Sequence, residues 1–142
     1  QTGDNVLVIG CGMVGAETAY HLARNGKKVT VFEAFGPEMS LSGLALFRPT
    51  GLFEQYNIKV HSQMPIVEIY PGGVLTVDQA GRKIITKAET IVSAIGRTAT
   101  YDREFIDELR EKGLYVLPVG DAVAARRIAD AVHEAFEAAM RI

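Results

Sequence analysis

The feature that most constrains this chain is an apolar run, Val6-Leu7-Val8-Ile9, that stops on Gly10-Cys11-Gly12-Met13-Val14-Gly15. Four apolar residues without polar alternation read as a strand buried on both faces, which is the habit of parallel sheets. A helical pattern follows from about Val14 to Asn25. Gly15, Ala19, Leu22 and Ala23 fall on one face, and Gly26 is placed to stop the helix. Val29-Thr30-Val31-Phe32 is the next strand. Parallel strands joined through a helix cross over right-handedly, so residues 6–33 form a βαβ unit.

Within that unit the glycine spacing acquires a meaning that it lacks by itself. Gly-x-Gly-x-x-Gly leaving a buried strand and opening a helix is the fingerprint of a dinucleotide-binding turn. Gly10 permits the tight turn, Gly12 lets backbone approach a pyrophosphate, and Gly15 lets helix and strand pack closely. The first-turn N–H groups and the positive end of the helix dipole then face an anion, which Cys11, Met13 and Val14 would meet through their backbone. The plain alternative is a glycine-rich turn without a ligand. Glu33 ends the second strand about 20 residues on, where a carboxylate accepts hydrogen bonds from an adenosine ribose, with Ala34 beside it. A carboxylate there repels a 2′-phosphate, and no Lys or Arg lies between Ala34 and Leu41, so NAD(H) is favoured over NADP(H). Its plain alternative is a solvated strand-end glutamate.

The rest of the chain extends an α/β pattern. Leu41–Tyr56 has helical spacing that Pro49 and Gly51 should break or kink, and Ile58–His61 resembles a short third strand. Ile66–Ile69, Val74–Val77 and Lys83–Thr86 are separated by Pro71-Gly72-Gly73 and Ala80-Gly81, the spacing of a small antiparallel meander. Thr90–Ile95 returns to a buried-strand pattern and stops at Gly96. Ala94, Ile95 and Gly96 should therefore lie at the carboxyl edge of the sheet, where ligands of open α/β sheets bind, although a strand-terminating glycine reads the same way. Phe105, Ile106 and Leu109 mark a short charged helix ending at Gly113, and Leu114–Val119 is an apolar strand ended by Gly120-Asp121. A last helix runs from about Arg126 to Met140, with an apolar stripe of Ile128, Ala131, Val132, Ala135, Phe136 and Ala139. The expected fold is a Rossmann-like three-layer α/β arrangement, a parallel sheet with helices plus a small antiparallel β-meander.

Composition narrows the function classes. A net charge of −2 with mixed signs leaves no basic stripe for nucleic acid. No apolar stretch approaches the roughly 18 residues that span a bilayer. Residues 1–5 carry no signal-peptide pattern, and the missing initiator Met suggests an excised or tagged fragment. The single cysteine, Cys11, excludes an intrachain disulfide and a cysteine-based metal cluster, and points to a reducing cytoplasm. Cys11 serves as a spacer between glycines rather than a nucleophile. His61 reads as a surface or packing residue, and His133 as part of a solvated face with Asp130, Glu134 and Glu137. Asp121 reads equally as a turn residue or a ligand.

Taken together, these stretches resemble the pyridine-nucleotide–flavin reductases. The branch most similar is the C-terminal region of NADH:flavin oxidoreductases related to dienoyl-CoA reductase, enoate reductase and trimethylamine dehydrogenase. Gly15-Ala16-Glu17-Thr18-Ala19 and the exit Ala94-Ile95-Gly96-Arg97 look like that family's inserted NAD(P)H-binding domain. Tyr115–Asp121 resembles the strand whose Gly-Asp, here Gly120-Asp121, reaches FAD, and Arg126–Glu134 resembles the branch's ending. Ala135 stands where the family has glycine, Ala125 where proline is common, and no second fingerprint occurs.

The resemblance implies an NAD(H)-binding domain over 1–97 and a returning piece of an FAD domain over 98–142. It implies FAD in the intact protein but not retained by this chain. The partner would be the remainder of a flavoenzyme: a flavin domain, and an FMN barrel with an iron–sulfur cluster. Hydride would pass from nicotinamide to flavin in the whole enzyme, with no catalytic or metal-binding residue on this chain. The other readings are a non-catalytic module holding ADP or NAD, and an interaction domain presenting the last helix with its stripe exposed.

Overall fold

The structure, a computed structural model, describes residues 2–36 and 51–142. It resolves into two compact units, Gln1–Gly96 and Arg97–Ile142. The helical spacing expected over 41–50, with its break at Pro49, lies outside the described residues. Among the described residues no helix is long and apolar enough to cross a membrane.

In the first unit the chain runs through β1 (Asn5–Ile9), α1 (Met13–Arg24), β2 (Lys28–Phe32), a single helical turn α2 (Leu52–Gln55) and β3 (Lys59–His61). It continues through β4 (Ile66–Tyr70), β5 (Gly73–Val77), β6 (Lys83–Lys87) and β7 (Thr90–Ser93). A four-stranded sheet has the order β3-β2-β1-β7, with every pairing parallel. Val8 stands beside Val31 on one side and Val92 on the other. The chain steps outward from β1 through β2 to β3, then returns to the opposite side of β1. That reversal makes the carboxyl ends of β1 and β7 a topological switch point, where open α/β sheets bind ligands.

The period-2 alternation of β1 and β2 divides their side chains between two cores. On one face Val8, Val29 and Val31 meet Ala16, Ala19 and Ala23 of α1, with Phe53 and Ile58. Small residues on α1 let the helix lie close to the sheet. Leu7, Ile9 and Phe32 point the other way and meet Val74 of the meander and Ala88. The layers are therefore helix, parallel sheet and antiparallel meander. β1 is sealed on both faces, as its unbroken apolar run requires. α1 ends where expected: Gly26 N–H bonds Ala23 O at 3.0 Å and Lys27 N–H bonds Leu22 O at 3.1 Å, closing the last carbonyls. β4, β5 and β6 pair antiparallel, with a register irregularity between Ile66 and Glu68. In the β5–β6 turn, Asp78 accepts from the N–H groups of Ala80 and Arg82 and from the Arg82 guanidinium. Those bonds, led by the Arg82 amide, hold its carboxyl below the usual range.

One strand departs from expectation. β7 was expected to be buried, yet Thr90, Ile91 and Val92 are half-buried and Ser93 is exposed. It pairs with β1 on one side only, so its apolar residues record an edge position among the described strands.

The second unit contains α3 (Arg103–Glu111), a 3₁₀ turn (Gly120–Ala122) and α4 (Ile128–Ala139). Asp102 caps α3 by accepting the Phe105 N–H at 3.0 Å. The strand expected over Leu114–Val119 does not form: this stretch joins no ladder among the described residues. An apolar run supplies only one side of a ladder, and strand pairing needs a neighbour at about 4.8 Å. The stripe of α4 is exposed, with Ile128 at 85% and Phe136 at 67%.

The double seal on β1 makes its side chains costly to truncate. Leu7→Ala should destabilise the chain by about 2–5 kcal/mol, read from urea denaturation. Cys11 is also fully buried, and burial with the nearby Glu33 charge pushes its thiol up to about 11. A thiol reagent at pH 8 should therefore leave the folded protein unmodified and titrate one equivalent after unfolding.

Candidate nucleotide-binding site

The loop between β1 and α1 is pinned from both neighbouring strands. Gly10 donates its N–H to Phe32 O at 2.8 Å, and Ala94 donates to Ile9 O at 2.8 Å. Gly10 has φ +94°, and a Cβ there would lie 2.5 Å from the Ala94 carbonyl oxygen. A Cβ on Gly15 would lie 2.1 Å from Gly10 O and 3.3 Å from Ala94 Cβ. Both positions admit hydrogen alone, so helix, loop and the end of β7 can touch through bare backbone.

Gly12 is different. It is the N-cap of α1, with φ −65°, and a Cβ added to it would meet nothing within 4 Å. The space over Gly12 is open, and nothing in the loop's own packing demands glycine there. The first N–H to find an acceptor in the helix belongs to Ala16, which bonds Gly12 O at 2.9 Å. Among the described residues no side chain caps the helix start, and no acid sits in its first turn. Met13 and Val14 expose their apolar side chains. An uncapped helix end with open space before it suits a phosphate-sized anion.

Glu33, just beyond β2, is buried at 7% exposure. One carboxylate oxygen accepts the Cys11 N–H at 2.7 Å and the other the Phe35 N–H at 3.0 Å. Its own N–H bonds His61 O at 2.9 Å, and its carbonyl accepts from Met64 N–H at 3.0 Å. Each carboxylate oxygen retains a further lone pair. The His61 ring stacks on Phe32, with centroids 4.9 Å apart and planes 18° apart, so this histidine is a packing residue. Ala34, Phe35, Ile95 and Gly96 are exposed at the same carboxyl edge.

The first unit thus gathers Gly10, Cys11, Gly12, Gly15, Glu33 and Ala94 around one loop. Cys11 contributes a backbone amide already given to Glu33 and a side chain within the core. The part played by Phe35 is not legible in the sequence, because an amide closing onto a glutamate two residues earlier has no compositional sign. Among the described residues, no cluster of His, Cys, Asp or Glu could hold a metal ion.

Gly120 and Asp121 belong to the second unit, where they form their own constellation. Gly120 donates its N–H to Glu134 Oε2 at 2.7 Å, and a Cβ on it would lie 2.9 Å from Ala131 Cβ. Glu134 also pairs with Arg126, whose own N–H bonds Asp121 Oδ1 at 3.0 Å. Arg97 lies 3.6 Å from Asp121. The Gly120 amide, followed by Arg126, holds the Glu134 carboxyl below its usual range. Glu134 therefore buttresses the Gly-Asp turn, although the sequence placed it on a solvated face.

The chain as a whole resembles known proteins. A family model described as FAD dependent oxidoreductase matches residues 5–137. An NADH oxidase of Thermoanaerobacter brockii is 34% identical over 140 residues, covering 98% of this chain and 21% of that protein. A metal reductase of Desulforamulus reducens is 27% identical over 177 residues, covering 99% and 25%. Among solved structures, a 2-naphthoyl-CoA reductase in complex with 2-naphthoyl-CoA superposes with a TM-score of 0.81 at 26% identity, over all of this chain and 22% of that one. The thioredoxin reductase of T. acidophilum, at 20% identity and a TM-score of 0.71 over 98% of this chain and 51% of that one, shares the fold. The chain spans about a fifth to a quarter of the length of the curated relatives named here. With the family model matched across nearly its whole length, this chain belongs to the FAD-dependent oxidoreductases.

Proposed function

We propose that this chain is the NAD(H)-binding region of a larger flavin-dependent oxidoreductase. The observation that carries the reading is the uncapped start of α1, with open space over Gly12 among the described residues, at the point where the strand order reverses. A pyrophosphate fits there because backbone amides and the helix dipole supply positive potential where no side chain intrudes. Glu33 stands one strand away, with lone pairs left for a ribose hydroxyl and a charge that opposes a 2′-phosphate. When bound, NADH supplies hydride and a flavin accepts it; the protein contributes orientation and electrostatics. The resemblance to an NADH oxidase over 98% of the chain supports the nicotinamide assignment.

In this reading residues 98–142 return to a flavin domain. Gly120 and Asp121, held by Glu134 and Arg126, complete an FAD site built mainly by the rest of the larger protein, and this chain alone does not retain FAD. That remainder, including an FMN barrel with an iron–sulfur cluster, is the partner, and it works in the cytoplasm. The exposed stripe Ile128, Val132, Phe136 and Met140 is the surface that such a partner would cover.

Calorimetric titration of this chain should show NADH binding about tenfold more tightly than NADPH, a difference of about 1.4 kcal/mol. Equal affinity for ADP and NADH would instead indicate a module that holds nucleotide without engaging nicotinamide. Gly12→Val should weaken NADH at least about tenfold by filling the open space, while the chain still folds, at a cost of about 1 kcal/mol for a poorer N-cap at an otherwise allowed φ of −65°. Gly15→Val should instead disrupt the fold, since its Cβ collides with Gly10 O. Unchanged NADH affinity in Gly12→Val, or no nucleotide binding by the parent chain, would overturn the proposal.

A further inference from the structure

We propose that Glu33 is a positioning residue of the phosphate site, bracing the glycine loop through the Cys11 amide, apart from any contact it makes with a ribose. The inference rests on the nucleotide-binding reading of this site. Its carrier is the match of two donors to two acceptors: Cys11 N–H meets one carboxylate oxygen at 2.7 Å and Phe35 N–H meets the other at 3.0 Å. The group is nearly buried, and among the described residues two backbone amides donate to it. A buried carboxylate without donors is strongly disfavoured, so the loop amide and the charge need one another.

The geometry explains why the brace reaches the anion. Cys11 lies between Gly10, which is wedged against Ala94, and Gly12, which begins α1. With Gly10 fixed by Phe32 O and Cys11 fixed by Glu33, little backbone freedom remains to reorient Gly12 and the amides after it. The anion then meets donors already in place, which reduces the ordering cost of binding. The same bond removes the Cys11 N–H from the set of donors free to face a phosphate. That task falls to Gly12 and the first turn of α1.

Inorganic pyrophosphate separates bracing from ribose contact, because it has no ribose. Glu33→Gln preserves shape but offers one oxygen and one NH2 to two N–H donors, so one amide faces a donor. The variant should bind pyrophosphate about tenfold more weakly than the parent chain, by titration calorimetry. In ligand-free protein its Cys11 amide should exchange with solvent at least about tenfold faster, by NMR, while α1 amides beyond Ala19 keep their protection. Unchanged pyrophosphate affinity and unchanged Cys11 exchange, with only ADP or NADH weakened, would overturn the brace and leave Glu33 a ribose ligand. If the parent chain binds none of these ligands, the nucleotide reading fails, and ligand-free exchange still decides whether Glu33 holds the loop. If the variant does not fold, the parent chain supplies the readout: a through-hydrogen-bond scalar coupling between the Cys11 amide nitrogen and the Glu33 carboxylate carbon is expected, and its absence would overturn the proposal.

Discussion

The contact on which the first unit depends is one between backbones. Gly10 and Gly15 let the β1–α1 loop, the start of the helix and the carbonyl of Ala94 approach to distances that no Cβ tolerates. That approach sets the distance between α1 and the sheet, and it brings the end of β7 against the loop. The loop itself carries no charged side chain, so the positive potential at the start of α1 comes from backbone amides and the helix dipole alone.

Burial of β1 gives this loop a rigid base. Its two faces are covered by different kinds of structure, a helix on one side and an antiparallel meander on the other, and each takes alternate side chains of the same short strand. Rossmann-like sheets need both faces covered, and they do not require the same element on each. The meander supplies Val74 to the core on that face. Glu33 then links the two strand ends: its main chain is fixed by His61 and Met64, and its carboxylate reaches across to the loop after β1.

Much of this was legible beforehand. The βαβ unit, the helix stop at Gly26 and the three meander strands follow from patterns that are local: an apolar run, a 3.6-residue period, and glycine at turns. Elements whose form depends on a neighbour were harder to read. β7 looked buried because its residues are apolar, but it has one partner and stands at the edge. Leu114–Val119 is also largely apolar and, having no ladder partner among the described residues, remains outside any strand. The double role of the Glu33 carboxylate, its closure by the Phe35 amide and the support of Gly120 by Glu134 were not legible, since each joins groups whose proximity the chain alone does not state.

What the sequence determined by itself was the kind of fold and the glycine spacing that a nucleotide-binding turn requires, since both are written in residues a few positions apart. Hydrogen at Gly10 and Gly15, apolar side chains on two faces of one strand and a carboxylate at the end of the next leave few alternatives. Only the tertiary structure decided which amides stay free and which are already engaged, which apolar stripe is covered and which is left to solvent. Hydrogen bonds and burial are properties of pairs of surfaces, and a sequence names the members without saying which of them meet.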